Sequence, residues 1–120
     1  ATGVAVTVRD FVKLAFSYCG IEIGFVGEGI EEIGVVTACK NPKYQVEIGQ
    51  EIIAVDSRYF RPTEVTALVG DASKANKELG WSPEYDLKGL VSDMMNSDLK
   101  LVTKDGCLER AGYQIKNYFE

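Results

Sequence analysis

The chain has 120 residues, with 18 acidic side chains against 13 basic ones, a formal net charge of −5 and no histidine. The missing histidine excludes Ser-His-Asp and Cys-His nucleophile pairs within the chain, and every histidine-ligated metal site. The acidic balance, with a pI of about 4.8, argues against nucleic acid or a membrane surface as partner, because either needs clustered Lys and Arg.

A chain of this length forms one domain at most, with one modest core. Its three cysteines, Cys19, Cys39 and Cys107, lie far apart with no C-x-x-C pair. A zinc knuckle, redox pair or disulfide scaffold therefore has no framework here, and reduced thiols in a cytoplasmic chain are expected. No apolar run reaches the length of a membrane span, and the N-terminus lacks the basic region and apolar stretch of a signal peptide. Ala1-Thr2-Gly3 has no starting methionine and reads as the cut end of something longer.

Apolar periodicity predicts a first helix over Val8 to Cys19, with Val8, Phe11, Val12, Ala15, Phe16 and Cys19 in one buried stripe. Thr7 is placed to cap it, Asp10 to complete an approximate capping box, and Gly20 to end it. Two strand runs follow, residues 21–26 and 33–38, joined by a glycine-rich turn. Asn41-Pro42 marks a loop, and Glu51 to Asp56 reads as a short core strand. A second helix spans Ala72 to Leu79, capped by Asp71 and closed by Gly80. A third begins after Pro83 with Asp86 as cap. Leu87, Leu90, Val91, Met94, Leu101 and Val102 form its apolar face, and Gly106 is expected to stop it. The fold class is α+β or α/β, with three helices and a few short strands. Three helices are too few to cover both faces of such a sheet, so some apolar surface is left for a partner.

Gly24-Phe25-Val26-Gly27-Glu28-Gly29 superficially resembles a nucleotide-binding glycine loop. Its spacing is wrong, however, and Glu28, Glu31 and Glu32 follow where a phosphate needs free amides, so it reads as a hairpin turn. The glutamates themselves read as a solvated edge, and Met94-Met95 as core filler. No Tyr-x-x-x-Lys pair occurs: Tyr85 and Tyr113 each have a lysine only three residues on. No catalytic, cofactor-binding or metal-ligating residue is therefore assigned in this chain.

The informative stretch is Val55 to Val65, which packs Arg58, Tyr59, Phe60, Arg61, Pro62 and Glu64 together at a strand exit. Two readings fit it. An arginine fixed there can clamp an anion through its planar fork, with Glu64 accepting from a vicinal diol. Alternatively, Arg58 or Arg61 closes the loop on itself by pairing with Asp56 or Glu64.

The segments V-D-S-R-Y-F-R-P-T-E-V-T-A-L (55–68), G-D-A-S-K-A (70–75) and L-G-W-S-P (79–83) resemble the C-terminal region of GDP-mannose 4,6-dehydratases. So do Ala1-Thr2-Gly3, Thr7 to Val12, and Leu90 to Met95 with Asp98-Leu99. R-Y-F-R-P-T-E-V is specific to that family, whereas L-G-W-x-P is shared with many extended short-chain dehydrogenase/reductase relatives. The resemblance runs through the whole chain. It departs at Ser57, where proline is common, and in the loop from Asn41 to Gly49, and it loosens from Cys107 onward.

The resemblance implies that residues 1–120 are the C-terminal nucleotide-sugar-binding region of a Rossmann-type enzyme. The NADP-binding Rossmann domain, with its Tyr/Lys pair, would then lie outside this chain. It implies a lyase of GDP-fucose biosynthesis that converts GDP-mannose to GDP-4-keto-6-deoxymannose and water. Arg61 then matches the arginine on the GDP diphosphate and Glu64 the glutamate on its ribose, with Arg58 and Tyr59 as further substrate-binding candidates. NADP is the implied cofactor, GDP-mannose the implied partner, and a homo-oligomer the implied state. The chain alone is expected to be inactive and to self-associate through exposed faces. Another nucleotide-sugar epimerase or reductase, or a stand-alone binding module, are the alternatives.

Overall fold

The computed structural model describes residues 1–61, 63 and 68–115. The first helix, α1 (Val8–Tyr18), starts where Thr7 is extended and its Oγ accepts from the Asp10 amide at 3.1 Å. The same hydroxyl donates to the Asp10 carboxylate at 2.6 Å, so Thr7 and Asp10 are joined twice, through the cap's side chain where a full capping box would also use its backbone amide. Phe11, Val12, Leu14, Ala15, Phe16 and Cys19 are half-buried. Val8, expected in the stripe, is 79% exposed. It sits in the first turn, before the helix reaches its neighbours.

Strand β1 (Ile21–Val26) returns through a short 3-10 turn at Gly29–Glu31 into β2 (Ile33–Cys39), and the two pair antiparallel. Gly27 enters this turn at φ +84, and a Cβ there would run into the Glu31 carbonyl, so glycine is required. Glu22 pairs with Ala38 and Ile23 with Val36, which leaves Thr37 as a bulge. Strand β3 (Glu51–Ala54) adds to the far side of β2, giving a three-stranded sheet in the order β1-β2-β3.

The sheet corrects one expectation. Glu51 to Asp56 is not a core strand but a four-residue edge strand with no fully buried residue. Its apolar run reads as central only because Ile52 and Ile53 are adjacent. In fact a second irregularity, between Gly34 and Val35, breaks its pairing register with β2.

Helix α2 (Ser73–Leu79) begins one residue later than expected. Ala72 occupies the cap position without a side-chain bond, while the Asp71 carboxylate accepts from the Ser73 amide at 2.9 Å and from its hydroxyl. Gly80 closes the helix in the left-handed region. Helix α3 (Leu87–Arg110) is capped as expected, the Asp86 carboxylate accepting from the Gly89 amide at 2.7 Å. It does not stop at Gly106 but runs on to Arg110, ahead of Gly112 at φ +85. A glycine inside an exposed helix costs only about 1 kcal/mol, which the flanking helix formers overcome.

The core is small. Ile21, Ile23 and Val36 form its buried centre, with Val36 only 1% exposed, and Phe16, Cys19, Phe25, Cys39 and Ile52 pack around them. Tyr44 and Val46, from the loop between β2 and β3, complete it. Helix α1 lies between β1 and α3, with Val91 of α3 buried at 2% exposure. The covered side of α3 is Leu87, Val91, Met95 and Leu99, recurring every four residues.

The stripe expected on α3 is therefore split. Leu87 and Val91 pack, but Leu90, Met94, Leu101 and Val102 are exposed. The reason is length: α1, with eleven residues, is about 16 Å long and α3, with twenty-four, about 36 Å, so α1 reaches along less than half of it. Met94, read as filler, lies on the open side; Met95 is the half-buried one.

The consequence is an open molecule. Its radius of gyration is 18.0 Å, against roughly 13.6 Å for a compact domain of this length. Its accessible surface is 9954 Å², against roughly 6,400 Å² for a folded monomer of this mass. The expected uncovered apolar surface is present. Among the described residues no helix is long and apolar enough to cross a membrane.

Two substitutions test this account. Gly34 lies on the central strand, and a Cβ there would approach the Cβ of Ile53 to 2.9 Å and Ile23 to 3.3 Å. Gly34→Ala should destabilise the chain by about 1–3 kcal/mol through overpacking, read as a lower urea midpoint. Asp86→Ala should cost about 1 kcal/mol by removing the α3 cap, and Asp86→Asn should recover most of it.

Candidate functional site

The segment that leaves β3 forms a tight turn at its first polar residue. The Asp56 carboxylate accepts from the Arg58 amide at 2.9 Å, and the Tyr59 amide donates to the Asp56 carbonyl at 3.0 Å. An aspartate that bonds to the backbone two residues on is the local signal for such a turn. The same carboxylate receives the Arg58 guanidinium, with Nε at 3.1 and 3.2 Å and Nη2 at 2.7 Å. Arg58 also lies over the Tyr59 ring, 5.5 Å from its centroid.

Of the two readings open for this stretch, the self-paired loop thus holds for Arg58 and Asp56. The guanidinium holds the Asp56 carboxyl below the usual carboxylate range, and the carboxylate raises the Arg58 pKa in turn. The pair is solvent-exposed, so its value lies in shaping the turn more than in stability. Tyr59 is 77% exposed and Phe60 is partly exposed. Arg61 follows the turn directly, on the solvent side. Glu64, the other principal candidate, lies outside the described residues.

Behind this turn is a cavity of about 370 Å³ that no local pattern announced. It is lined by Thr7, Arg9, Val12, Phe25, Glu32, Ile53 and Val55, among others. An ion pair between Arg9, at the start of α1, and Glu32, at the end of the hairpin turn, joins two of its walls. Arg9 holds Glu32 below the usual carboxylate range. Glu32 was read as part of a solvated acidic edge. Its side chain is only 16% exposed and it is paired, because the hairpin folds its turn back against the N-terminus of α1. The partners are 23 residues apart, a separation no motif covers.

The glycine-rich segment 24–29 forms the end of β1 and the hairpin turn, as its acidic flank implied. It opens no helix of the kind that presents free amides to a phosphate. Among the described residues no cluster of three or more Cys, Asp or Glu side chains could hold a metal ion. Cys19, Cys39 and Cys107 are free thiols, the first two half-buried beside the core.

A pinned arginine, an exposed aromatic and a second arginine thus follow one another at a strand exit. Comparison with known proteins identifies the company it keeps. A family model described as GDP-mannose 4,6 dehydratase matches residues 1–94. A GDP-mannose 4,6-dehydratase of Vibrio cholerae serotype O1 is 44% identical over 116 residues, which is 96% of this chain and 31% of that protein. One from Sinorhizobium fredii is 48% identical over 99 residues, 82% of this chain and 26% of the relative. One from Drosophila melanogaster is 45% identical over 107 residues, 88% of this chain and 24% of the relative. The chain thus spans about a quarter to a third of the length of the relatives it matches. Identity at this level across nearly all of the chain, with the Arg58-to-Arg61 turn inside the matched region, means that it belongs to the GDP-mannose 4,6-dehydratase family.

Proposed function

We propose that this chain supplies the GDP-sugar side of a GDP-mannose 4,6-dehydratase. The observation that carries the reading is the family match through residues 1–94 together with an Asp56-pinned turn that leads into Arg61. In this reading Arg61 grips the diphosphate of GDP-mannose, and Glu64 accepts from the ribose diol. Arg58 is committed to Asp56, so it orders the loop while its charge is balanced by that carboxylate, and Tyr59 offers an exposed ring at its edge.

The reaction assigned to the whole enzyme is a lyase reaction of GDP-fucose biosynthesis. It oxidises the sugar at C4, eliminates water across C5 and C6, and returns the hydride to C6, yielding GDP-4-keto-6-deoxymannose. NADP would carry the hydride. The residues described here do not fit a dinucleotide: the glycine-rich segment is a hairpin turn with Glu28, Glu31 and Glu32 around it. The cofactor and the Tyr/Lys pair are therefore assigned to a Rossmann domain of the extended short-chain dehydrogenase/reductase type, encoded outside these 120 residues. A cytoplasmic homo-oligomer is part of the same reading.

Three outcomes test it. In the full-length enzyme that contains this chain, Arg61→Ala should weaken GDP-mannose binding by about 10- to 100-fold, the equivalent of one charge-assisted contact. A UDP-sugar should bind poorly to the parent. The isolated 120-residue chain, given NADP and GDP-mannose, should show no turnover, and measurable product would overturn the assignment of the chemistry to another domain.

The pinned turn has its own pH signature. Because pairing lowers the folded-state pKa of Asp56, its contribution is complete above the ordinary aspartate value and is lost only as pH falls through the lowered one. A carbon-detected titration should show Asp56 protonating below the usual aspartate range. Arg58→Ala should move the midpoint part of the way back to that range, the amide at position 58 remaining as a donor; an unchanged midpoint would show that the ion pair does not form in solution.

A further inference from the structure

The Arg9–Glu32 ion pair acts where the candidate site is least supported. At its site end, β3 is held to β2 by the Ile33–Ala54 and Gly34–Ile53 pairs before the register breaks. One position beyond Ile33 and Ala54 stand Glu32 and Val55, and both line the same cavity as Arg9, Val12 and Phe25. Asp56 comes next, and its carboxylate and carbonyl take up the Arg58 and Tyr59 amides. The ion pair therefore meets the sheet at the last rung before the turn that leads into Arg61.

We infer that Arg9 and Glu32 are positioning residues for this turn: their ion pair fixes the start of β2, and with it the last β2–β3 rung, so that the Val55–Arg61 segment leaves the sheet in one direction. The ligand side of this inference rests on the GDP-sugar reading of Arg61; the mechanical side does not.

Three observations carry it. The first is burial. The Glu32 side chain is 16% exposed, against 56% for Arg9. Exposed pairs add little to global stability. A carboxylate this enclosed, however, regains water after losing its cation only by turning outward, and it would pull the start of β2 with it. The second is the firmness of the other end. Arg9 sits in the first turn of α1, next to Asp10, which Thr7 holds by both its amide and its carboxylate. One turn further on, Lys13 lies over the Phe25 ring of β1, 5.8 Å from its centroid. The third is placement. Among the described residues this is the one ion pair that joins α1 to the sheet; Lys40–Glu22 and Arg58–Asp56 lie elsewhere.

In the full-length enzyme that contains this chain, Arg9→Ala should raise the GDP-mannose KM about tenfold. It should leave kcat within about twofold, the split expected when binding and not chemistry is lost. Arg9→Lys should keep the parental KM, since the pair uses a single donor, Nε to Oε1. The charge swap Arg9→Glu/Glu32→Arg should recover most of what Arg9→Ala loses. Added to Arg61→Ala, Arg9→Ala should raise KM no further, because it acts through the placement of Arg61. Hydrogen exchange of the ligand-free enzyme, read by mass spectrometry, gives the mechanical side: Arg9→Ala should speed exchange in residues 52–61 and leave 16–26 unchanged. Unchanged exchange at 52–61, faster exchange in both segments, or no recovery in the charge swap would overturn the inference. So would a parental KM for Arg9→Ala beside a raised one for Arg61→Ala, which leaves the GDP-sugar reading standing. A parental KM for Arg61→Ala would instead sink that reading, and hydrogen exchange would then decide by itself whether the pair holds the turn.

Discussion

Helix α1 presents apolar side chains to two neighbours at once. Phe16 and Cys19 join Ile21, Ile23 and Val36 of the sheet, while its other side meets α3 around the buried Val91. The sheet, α1 and α3 thus stack in sequence, and the middle layer is the shortest, with eleven residues against twenty-four in α3. That mismatch governs the rest. The sheet is covered on one face over a small area, most of the second half of α3 is exposed among the described residues, and the molecule stays open. A domain held by so few buried side chains, each contributing about 1.5–3 kcal/mol, has little stability to spare against the entropy of ordering its backbone.

The candidate site inherits its geometry from the edge of this arrangement. Strand β3 is short and at the margin, so the chain leaves it into solvent, where a turn must be stabilised locally. Asp56 does this alone, bonding to both the backbone and the guanidinium of Arg58. Arg58 is engaged in making the turn, and Arg61 follows it in sequence. Beneath them, the Arg9–Glu32 pair ties the start of α1 to the hairpin beside the cavity that ends at Val55.

How much of this was readable in advance follows the range of the forces involved. Thr7 and Asp86 bond to amides three residues away, and Asp71 to one two residues away, so helix starts are written in a few adjacent letters. The hairpin and its glycine turn are equally local. Helix ends were less legible, because Gly106 is a weak penalty that a strong helical context outweighs. Burial was the least legible. Leu90 and Val91 are neighbours of similar character, yet one is exposed and the other nearly sealed, and only the position of α1 separates them. The candidate site was legible in part: the crowding of charge at 55–65 marked it, but that Asp56 binds Arg58 depended on the local turn geometry.

The sequence by itself determined the kinds of element, their caps, the hairpin, the absence of histidine chemistry, and the family, because these rest on residue identity and on contacts a few positions apart. Tertiary structure decided which apolar face is covered, that β3 is an edge, that Glu32 is paired with an arginine 23 residues away, and that Leu90, Met94 and Leu101 of α3 stay exposed. Those outcomes depend on the lengths and relative placement of elements distant along the chain, and periodicity within any one of them carries no record of what stands opposite.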